Sequence, residues 1–233
     1  MSKGDPCELS KPCVDVGFFT NNCAAMLAFW CDRIGLPCED AVEFNDGLTQ
    51  YRHALADSVV KINTARGGVG QAPTGYRELL IARSDITAPQ YLHDPDGNAI
   101  TLVPSGYAGV TGLGIRVAVS DRARQARFYR DSLGFEAVSE SLFRCGNSTL
   151  LLDSDPACER GGHWVNAGAR YFTVHVMRID EAFDHMTARG AEIGERPYSI
   201  GRIARISFVR DPDGNWIEVA QRAAIAGPWW EDE

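Results

Sequence analysis

The stretch RDPDGNWIEVAQ, residues 210–221, closely matches an earlier stretch of the same chain, HDPDGNAITLVP, at residues 93–104. Two other stretches, AFWCDRIGLP at 28–37 and RFYRDSLGFE at 127–136, also match each other and occur in the same order. Similarity that recurs in a fixed order is typical of an internal repeat. The chain is therefore predicted to consist of two related halves.

The repeat also sets the boundaries of these halves. We expect the N-terminal half at residues 13–105 and the C-terminal half at residues 112–221, with a glycine-containing linker between them. The remaining tail, residues 222–233, carries two neighbouring tryptophans and three acidic residues. The apolar area of the tryptophans predicts that the tail packs against the body of the protein or against a partner subunit.

Each half is predicted to begin with a strand and a helix. In the N-terminal half the helix runs from about Asn22 to Ile34, with Asn22 as the N-cap residue. In the C-terminal half Ser120 or Asp121 is the predicted cap. A glycine after each apolar stripe, such as Gly134, is a typical stop signal for a helix.

Each half is also predicted to contain a second unit. In the C-terminal half, the strand YFTVHVM at 171–177 precedes an amphipathic helix that ends at Gly190. In the N-terminal half, the strand YRELLIA at 76–82 runs almost directly into the DPDGN stretch, so this unit lacks its helix. The predicted fold class is α+β, with four strand–helix–strand units in one chain and the second unit truncated.

The DPDGN stretches themselves are predicted to be hairpin turns. Asp, Pro and Gly favour turns, and Gly and Asn tolerate the positive φ angles that tight hairpins require. The strand that follows the second turn carries Glu218, whereas the strand that follows the first carries Thr101. The two halves therefore share a scaffold but differ in the side chain that the last strand presents.

Composition excludes some classes of function. The formal net charge is −8 and the basic residues are scattered, which argues against a nucleic-acid partner. The sequence has no apolar run long enough for a membrane span and no apolar core typical of a signal peptide. The seven cysteines form no CxxC pair, so we expect reduced thiols and a cytoplasmic location.

Taken together, FYRDSLGFE after the first strand and VRDPDGNWIEV before the last strand resemble the vicinal oxygen chelate superfamily. That superfamily includes glyoxalase I, bleomycin resistance proteins and extradiol dioxygenases. The resemblance covers about residues 13–221 and implies paired βαβββ modules, in which two curled sheets form a cup around a small-molecule ligand. It implies a small aromatic or carbonyl-containing ligand and leaves monomer and homodimer open.

The resemblance also implies where a metal ion would be bound, by counting along matching strands. Among the matching positions, Glu218 alone fits the superfamily's ligand pattern, and the usual histidines are absent. A divalent metal therefore stays open as a cofactor, with a displaced site formed by His175 and Glu218, and His163 as a third ligand, as one alternative. The matching positions are Gly114, Leu151, Tyr171 and Glu218 in the C-terminal half and Asp15, Lys61, Glu78 and Thr101 in the N-terminal half.

Strand alternation directs several polar side chains of the C-terminal half into the cup. In one interpretation Glu218, with a pKa raised by burial, is a general base and Tyr171 is its acid partner. Arg116 would then hold an anionic group of the substrate. In the alternative interpretation Arg116 and Glu218 form a structural ion pair. The other residues predicted to bind substrate are Thr173, His175 and Trp216.

The N-terminal half offers a second polar group of Asp15, Lys61 and Glu78, which suits either a salt-bridge network or metal-free proton transfer. If units of different halves share a cup, Asp15 and Lys61 would instead lie beside Tyr171 and Glu218. The sequence leaves both pairings open. Two classes of function follow: an enzyme of the lyase, isomerase or dioxygenase type, favoured by the predicted carboxylate and tyrosine, and a metal-free protein that sequesters a small molecule.

Overall fold

The computed structural model of the protein describes residues 5–44 and 47–230. The acidic residues of the predicted tail, 231–233, lie outside the described residues. Within the described ranges, no helix is long and apolar enough to cross a membrane.

Strands dominate the fold and form two sheets. In chain order the strands are β1 (Leu9–Phe19), β2 (Cys38–Glu43), β3 (Leu48–Leu55), β4 (Ser58–Ala65), β5 (Tyr76–Arg83), β6 (Gln90–His93), β7 (Ala99–Pro104), β8 (Leu113–Val119), β9 (Glu136–Ala137), β10 (Leu142–Cys145), β11 (Ser148–Ser154), β12 (Gly168–Val176), β13 (Glu192–Ile200), β14 (Ala204–Arg210) and β15 (Trp216–Arg222). The α-helices are α1 (Cys23–Ala28), α2 (Arg122–Arg127), α3 (Ile179–Ala188) and α4 (Ala223–Ala226).

The sheets combine strands from both halves of the chain. One sheet has eight strands in the order β13-β14-β15-β12-β1-β4-β3-β2, and the other has seven in the order β6-β7-β5-β8-β11-β10-β9. The first unit therefore pairs with the fourth, and the second pairs with the third. The halves 13–105 and 112–221 are units of sequence, but neither of them closes a sheet alone.

The first two helices are shorter than predicted because each changes its winding. Helix α1 ends at Ala28 and continues as one π-helical turn over Phe29–Arg33, and α2 continues in the same way over Phe128–Ser132. Asp121 caps α2 by accepting a hydrogen bond from the Arg124 backbone N–H. Asn22 occupies the predicted N-cap position of α1 but makes no side-chain capping hydrogen bond.

Between β5 and β6 the described residues contain no helix, as the truncated second unit predicts. In the fourth unit, by contrast, α3 buries Phe183 and Met186 against the sheet.

Strand β12 divides its side chains between two environments. Phe172, Val174 and Val176 belong to the main hydrophobic core, while the alternating residues face the other side of the sheet.

Both DPDGN stretches form the predicted hairpin turns, with positive φ at Gly97 and Gly214. The carboxylate of Asp94 accepts hydrogen bonds only from its own turn among the described residues. The carboxylate of Asp211 accepts the same kind of bonds and two more, from Gln125 and Tyr129 of the helical segment in the third unit. The second turn therefore also connects the fourth unit to the third through hydrogen bonds of Asp211.

Candidate functional site

The concave face of the eight-stranded sheet, which we call the cup, encloses a cavity of about 900 Å³ including its open mouth. Its walls are largely apolar and aromatic, with a group of charged and polar side chains at the base. Apolar pockets with a few convergent polar groups are the usual form of small-molecule sites. The side chains at the centre of the following argument are Lys61, Tyr171, His175 and Glu218, all of which line the cavity.

Pairing of the first and fourth units brings the polar residues of both halves together. Strands β1 and β12 lie side by side at the centre of the sheet, with Asp15 opposite Thr173 and Gly17 opposite Tyr171. On the outer flanks, β4 places Lys61 beside Gly17 and β15 places Glu218 beside Thr173. The arrangement in which units of different halves share a cup is therefore the one that the chain adopts.

Lys61 and Glu218 form a buried ion pair at the base of the cup. The Lys61 ammonium donates to Glu218 Oε2 at 2.7 Å and to Thr173 Oγ1 at 2.6 Å. The Thr173 hydroxyl donates to the same carboxylate oxygen at 2.5 Å. Burial opposes ionisation of Glu218, but the charge and hydrogen bonds of its two partners outweigh it and hold the pKa of Glu218 below its ordinary value.

Tyr171 lies against this ion pair and is held by a chain of amide hydrogen bonds. Its hydroxyl oxygen accepts from Gln50 Nε2 at 3.4 Å and from Asn63 Nδ2 at 3.3 Å. The Phe18 carbonyl accepts a 2.8 Å bond from Asn63 Nδ2, which fixes the orientation of that amide. Burial and the nearby Glu218 carboxylate keep the pKa of Tyr171 well above its ordinary value. Tyr171 is therefore a neutral phenol whose own proton is available to an acceptor in the cavity.

Asp15 and His175 form a second buried pair beside the first. Asp15 Oδ2 lies 2.8 Å from His175 Nε2, and Asp15 Oδ1 accepts from Lys11 Nζ at 2.6 Å and from the Val59 backbone N–H at 2.8 Å. Burial opposes ionisation of Asp15, but these donors and the Lys61 charge hold the pKa of its carboxyl well below its ordinary value. Burial also lowers the pKa of His175, so this ring is neutral near pH 7.

The relationship of this fold to known proteins follows from a family comparison. Residues 113–219 match the model of the Glyoxalase/Bleomycin resistance protein/Dioxygenase superfamily. Residues 113–219 belong to this superfamily. The expectation drawn from FYRDSLGFE and VRDPDGNWIEV is thus confirmed, and both stretches lie within the matched residues.

Solved structures share the fold of this chain over most of its length. Glyoxalase I from Zea mays has a TM-score of 0.72 at 14% identity, with 92% of each chain covered. A putative dioxygenase from Bacillus subtilis subsp. subtilis str. 168 has a TM-score of 0.69 at 11% identity, covering 92% of this chain and 86% of that one. At these identities the similarity is one of fold. No curated protein matches the sequence.

The polar side chains at the base of the cup do not fit a divalent metal ion. The positions of the shared cup that correspond to metal ligands carry Asp15, Lys61, Tyr171 and Glu218. Lys61 presents a cation where a ligand would need a lone pair, and its ammonium already neutralises Glu218. The described residues contain no group of three or more His, Cys, Asp or Glu side chains placed to hold a metal. His163 is directed to Trp216 and the Val165 backbone, away from such a site.

Two expectations for Glu218 need correction. Arg116 does not approach Glu218, because its strand belongs to the seven-stranded sheet. There it pairs with Glu78 at 2.7 Å and with Asp153 at 3.3 Å. Glu218 does not have the raised pKa expected of a general base, because Lys61 stabilises its ionised form more than burial destabilises it. The predicted group of Asp15, Lys61 and Glu78 is likewise divided between the two sheets.

The other predicted substrate-binding residues have different positions. His175 lines the cavity, whereas Thr173 lies beneath it as a partner of the ion pair. Trp216 packs against Phe208 in the aromatic cluster at one side of the cup, and its indole N–H donates to the Gly162 carbonyl at 2.8 Å. Trp164, in the loop that precedes β12, stacks on Phe208 with ring centroids 4.7 Å apart and lines the cavity.

Several cavity residues were not identified from the sequence. Gln50 and Asn63 orient Tyr171, and Arg52 donates to Gln50 at 2.9 Å. The signal that could have found them is strand alternation, since Asn63 shares a face of β4 with Lys61, and Gln50 shares a face of β3 with Arg52.

Gly17 leaves the space that the Tyr171 ring occupies. A Cβ atom at Gly17 would lie 2.2 Å from two atoms of that ring. We expect Gly17→Ala to displace Tyr171 and to lower the free energy of unfolding by about 1–3 kcal/mol, measured by chemical denaturation. Gly67→Ala is the control, because a Cβ at Gly67 has no atom within 4 Å. Equal stability of the two variants would contradict this role of Gly17.

Proposed function

We propose that the protein binds a small aromatic molecule in the cup without the help of a metal ion. The observation that carries this proposal is the buried ion pair between Lys61 and Glu218. The lysine supplies at this position the positive charge that a metal ion would otherwise bring. Because the pair is also hydrogen-bonded to Thr173, the base of the cup is electrostatically complete before a ligand enters.

The walls of the cup support an aromatic ligand with an oxygen acceptor. Trp164, Phe208 and Tyr171 contact one another edge to face or stacked, and they present aromatic surface to the cavity. The Tyr171 hydroxyl is available as a hydrogen-bond donor, which suits a carbonyl or ether oxygen. Two arginines, Arg52 and Arg222, also line the cavity and add positive charge.

A second candidate is an enzyme of the lyase or isomerase type that moves a proton on the same ligand. The pair of Asp15 and His175 favours it, because a carboxylate-bound neutral imidazole is a common general base. Glu218 does not suit that role while Lys61 holds it ionised. For a ring-cleaving dioxygenase, the donor set of the cup offers no support.

Calorimetry with 2-acetylnaphthalene tests the proposed function. We expect the probe to bind equally well before and after treatment with a chelator. Tyr171→Phe should weaken binding about fivefold to tenfold through loss of the hydrogen bond to the carbonyl. Tyr91→Phe is the matched control, because Tyr91 is 73% exposed and is absent from the cavity walls. Absence of binding, or a requirement for a stoichiometric metal ion, would contradict the proposal.

The same probe separates the two candidates. The methyl hydrogens next to the carbonyl of 2-acetylnaphthalene exchange with solvent when a base removes them. Deuterium uptake from D2O that requires the protein and is lost in His175→Leu, measured by mass spectrometry, would favour the enzyme. Binding without accelerated exchange would favour the binding protein.

A further inference from the structure

One ring nitrogen of His175 has no role in the proposed function, in which the ligand accepts a hydrogen bond from Tyr171. Its Nδ1 atom is buried and has no hydrogen-bond partner among the described residues. Leaving a buried polar atom unpaired is unfavourable, so such an atom in a residue that lines a cavity points to a missing partner. The residue itself is 2% exposed and lines the cup.

The contacts of Asp15 determine which kind of partner Nδ1 requires. Asp15 Oδ1 already accepts bonds from Lys11 and from the Val59 backbone, which leaves Oδ2 for His175 Nε2. A carboxylate surrounded by donors is ionised and accepts hydrogen bonds only. The proton of the neutral imidazole is therefore on Nε2, and Nδ1 carries a lone pair. The missing partner must be a donor.

The contact with Asp15 places that lone pair on the opposite edge of the ring. The two nitrogens of an imidazole point in nearly opposite directions, and Nε2 points towards β1 and Asp15. Nδ1 therefore points towards β15, where His175 lies opposite Ala220. Ala220 also lines the cavity.

From this geometry we infer that the ligand of the cup carries a hydroxyl group and donates its hydrogen bond to His175 Nδ1. The inference rests on the proposed function, since it assumes that the cup receives a small aromatic molecule. It narrows the ligand class to hydroxylated aromatic compounds. His175 and Asp15 thereby form a site for a donor, distinct from the donor that Tyr171 offers to an acceptor.

Calorimetry with a matched pair of compounds tests the inference: 2-naphthol, which has a hydroxyl, and 2-methoxynaphthalene, in which a methyl group replaces its hydrogen. We expect the wild-type protein to bind 2-naphthol about tenfold more tightly. In His175→Leu this preference should disappear. Equal binding of the two compounds by the wild-type protein would overturn the inference and leave the proposed function intact. Failure of both compounds to bind would contradict the proposed function, and the inference with it.

A measurement on the wild-type protein keeps the inference testable if the variant does not fold. Nitrogen-15 NMR of the histidine rings reports the protonation state of each nitrogen. We expect His175 to carry its proton on Nε2, and we expect its Nδ1 resonance to shift with 2-naphthol but not with 2-methoxynaphthalene. A proton on Nδ1 in the free protein, or equal shifts with both compounds, would overturn the inference.

Discussion

Replacing Lys61 with methionine is expected to lower the free energy of unfolding by about 3–5 kcal/mol at pH 7, as measured by chemical denaturation. The variant keeps most of the side-chain volume but leaves the Glu218 carboxylate buried without its counter-charge. Thr173 would remain as a partner, and one hydroxyl does not compensate for a lost ammonium. Without Lys61, burial should raise the pKa of Glu218, because the interaction that now outweighs it is removed.

Two further variants show whether the effect comes from an uncompensated charge. Adding Glu218→Gln to Lys61→Met should restore most of the lost stability, since the double variant has no unpaired buried carboxylate. Arg130→Met removes a cation from the exposed pair with Asp131 and should leave the free energy of unfolding nearly unchanged. A Lys61→Met variant as stable as Arg130→Met would show that the buried pair does not stabilise the cup.

The second large effect is expected at Asp211, where alanine should lower the free energy of unfolding by about 3–5 kcal/mol. The substitution would leave the buried Tyr129 hydroxyl without an acceptor and would remove one of the two acceptors of the Gln125 amide, in addition to the acceptor of the donors in the turn itself. Tyr129 is fully buried, so water does not replace the lost acceptor. Chemical denaturation at neutral pH measures the change.

The earlier DPDGN turn provides the matched control for this substitution. Asp94 accepts bonds from the Asp96 and Asn98 backbone and from the Asn98 amide, all within one turn. Asp94→Ala should therefore cost only about 1–2 kcal/mol. If the two variants lost equal stability, the link between the second turn and the third unit would contribute nothing.

Much of the fold was predictable because it depends on local patterns. The repeat identified the units, and the alternation of β12 placed Tyr171 and His175 on one face and the core residues Phe172 and Val174 on the other. These predictions need only the spacing of apolar residues along one strand. The missing helix of the second unit was predictable for the same reason, because too few residues separate β5 from its turn.

The chemistry of the cup was not predictable because it depends on which units share a sheet. Each way of pairing the units satisfies the same strand patterns, so the sequence placed Glu218 beside Arg116 as readily as beside Lys61. Burial alone suggested that the pKa of Glu218 would be raised. The contact with Lys61 instead makes the pKa lower than its ordinary value. The pair of Asp15 and His175 escaped notice for the same reason, since its members are 160 residues apart.

The pairing of the first unit with the fourth has a consequence for the order in which the protein can form during synthesis. Lys61 leaves the ribosome long before Glu218, which follows 157 residues later, on β15. Until then β1 and β4 have no neighbour from the fourth unit, and their polar residues have no partners there. Contacts of such long sequence separation form slowly. The newborn chain can therefore complete its cup only after β15 has been synthesised.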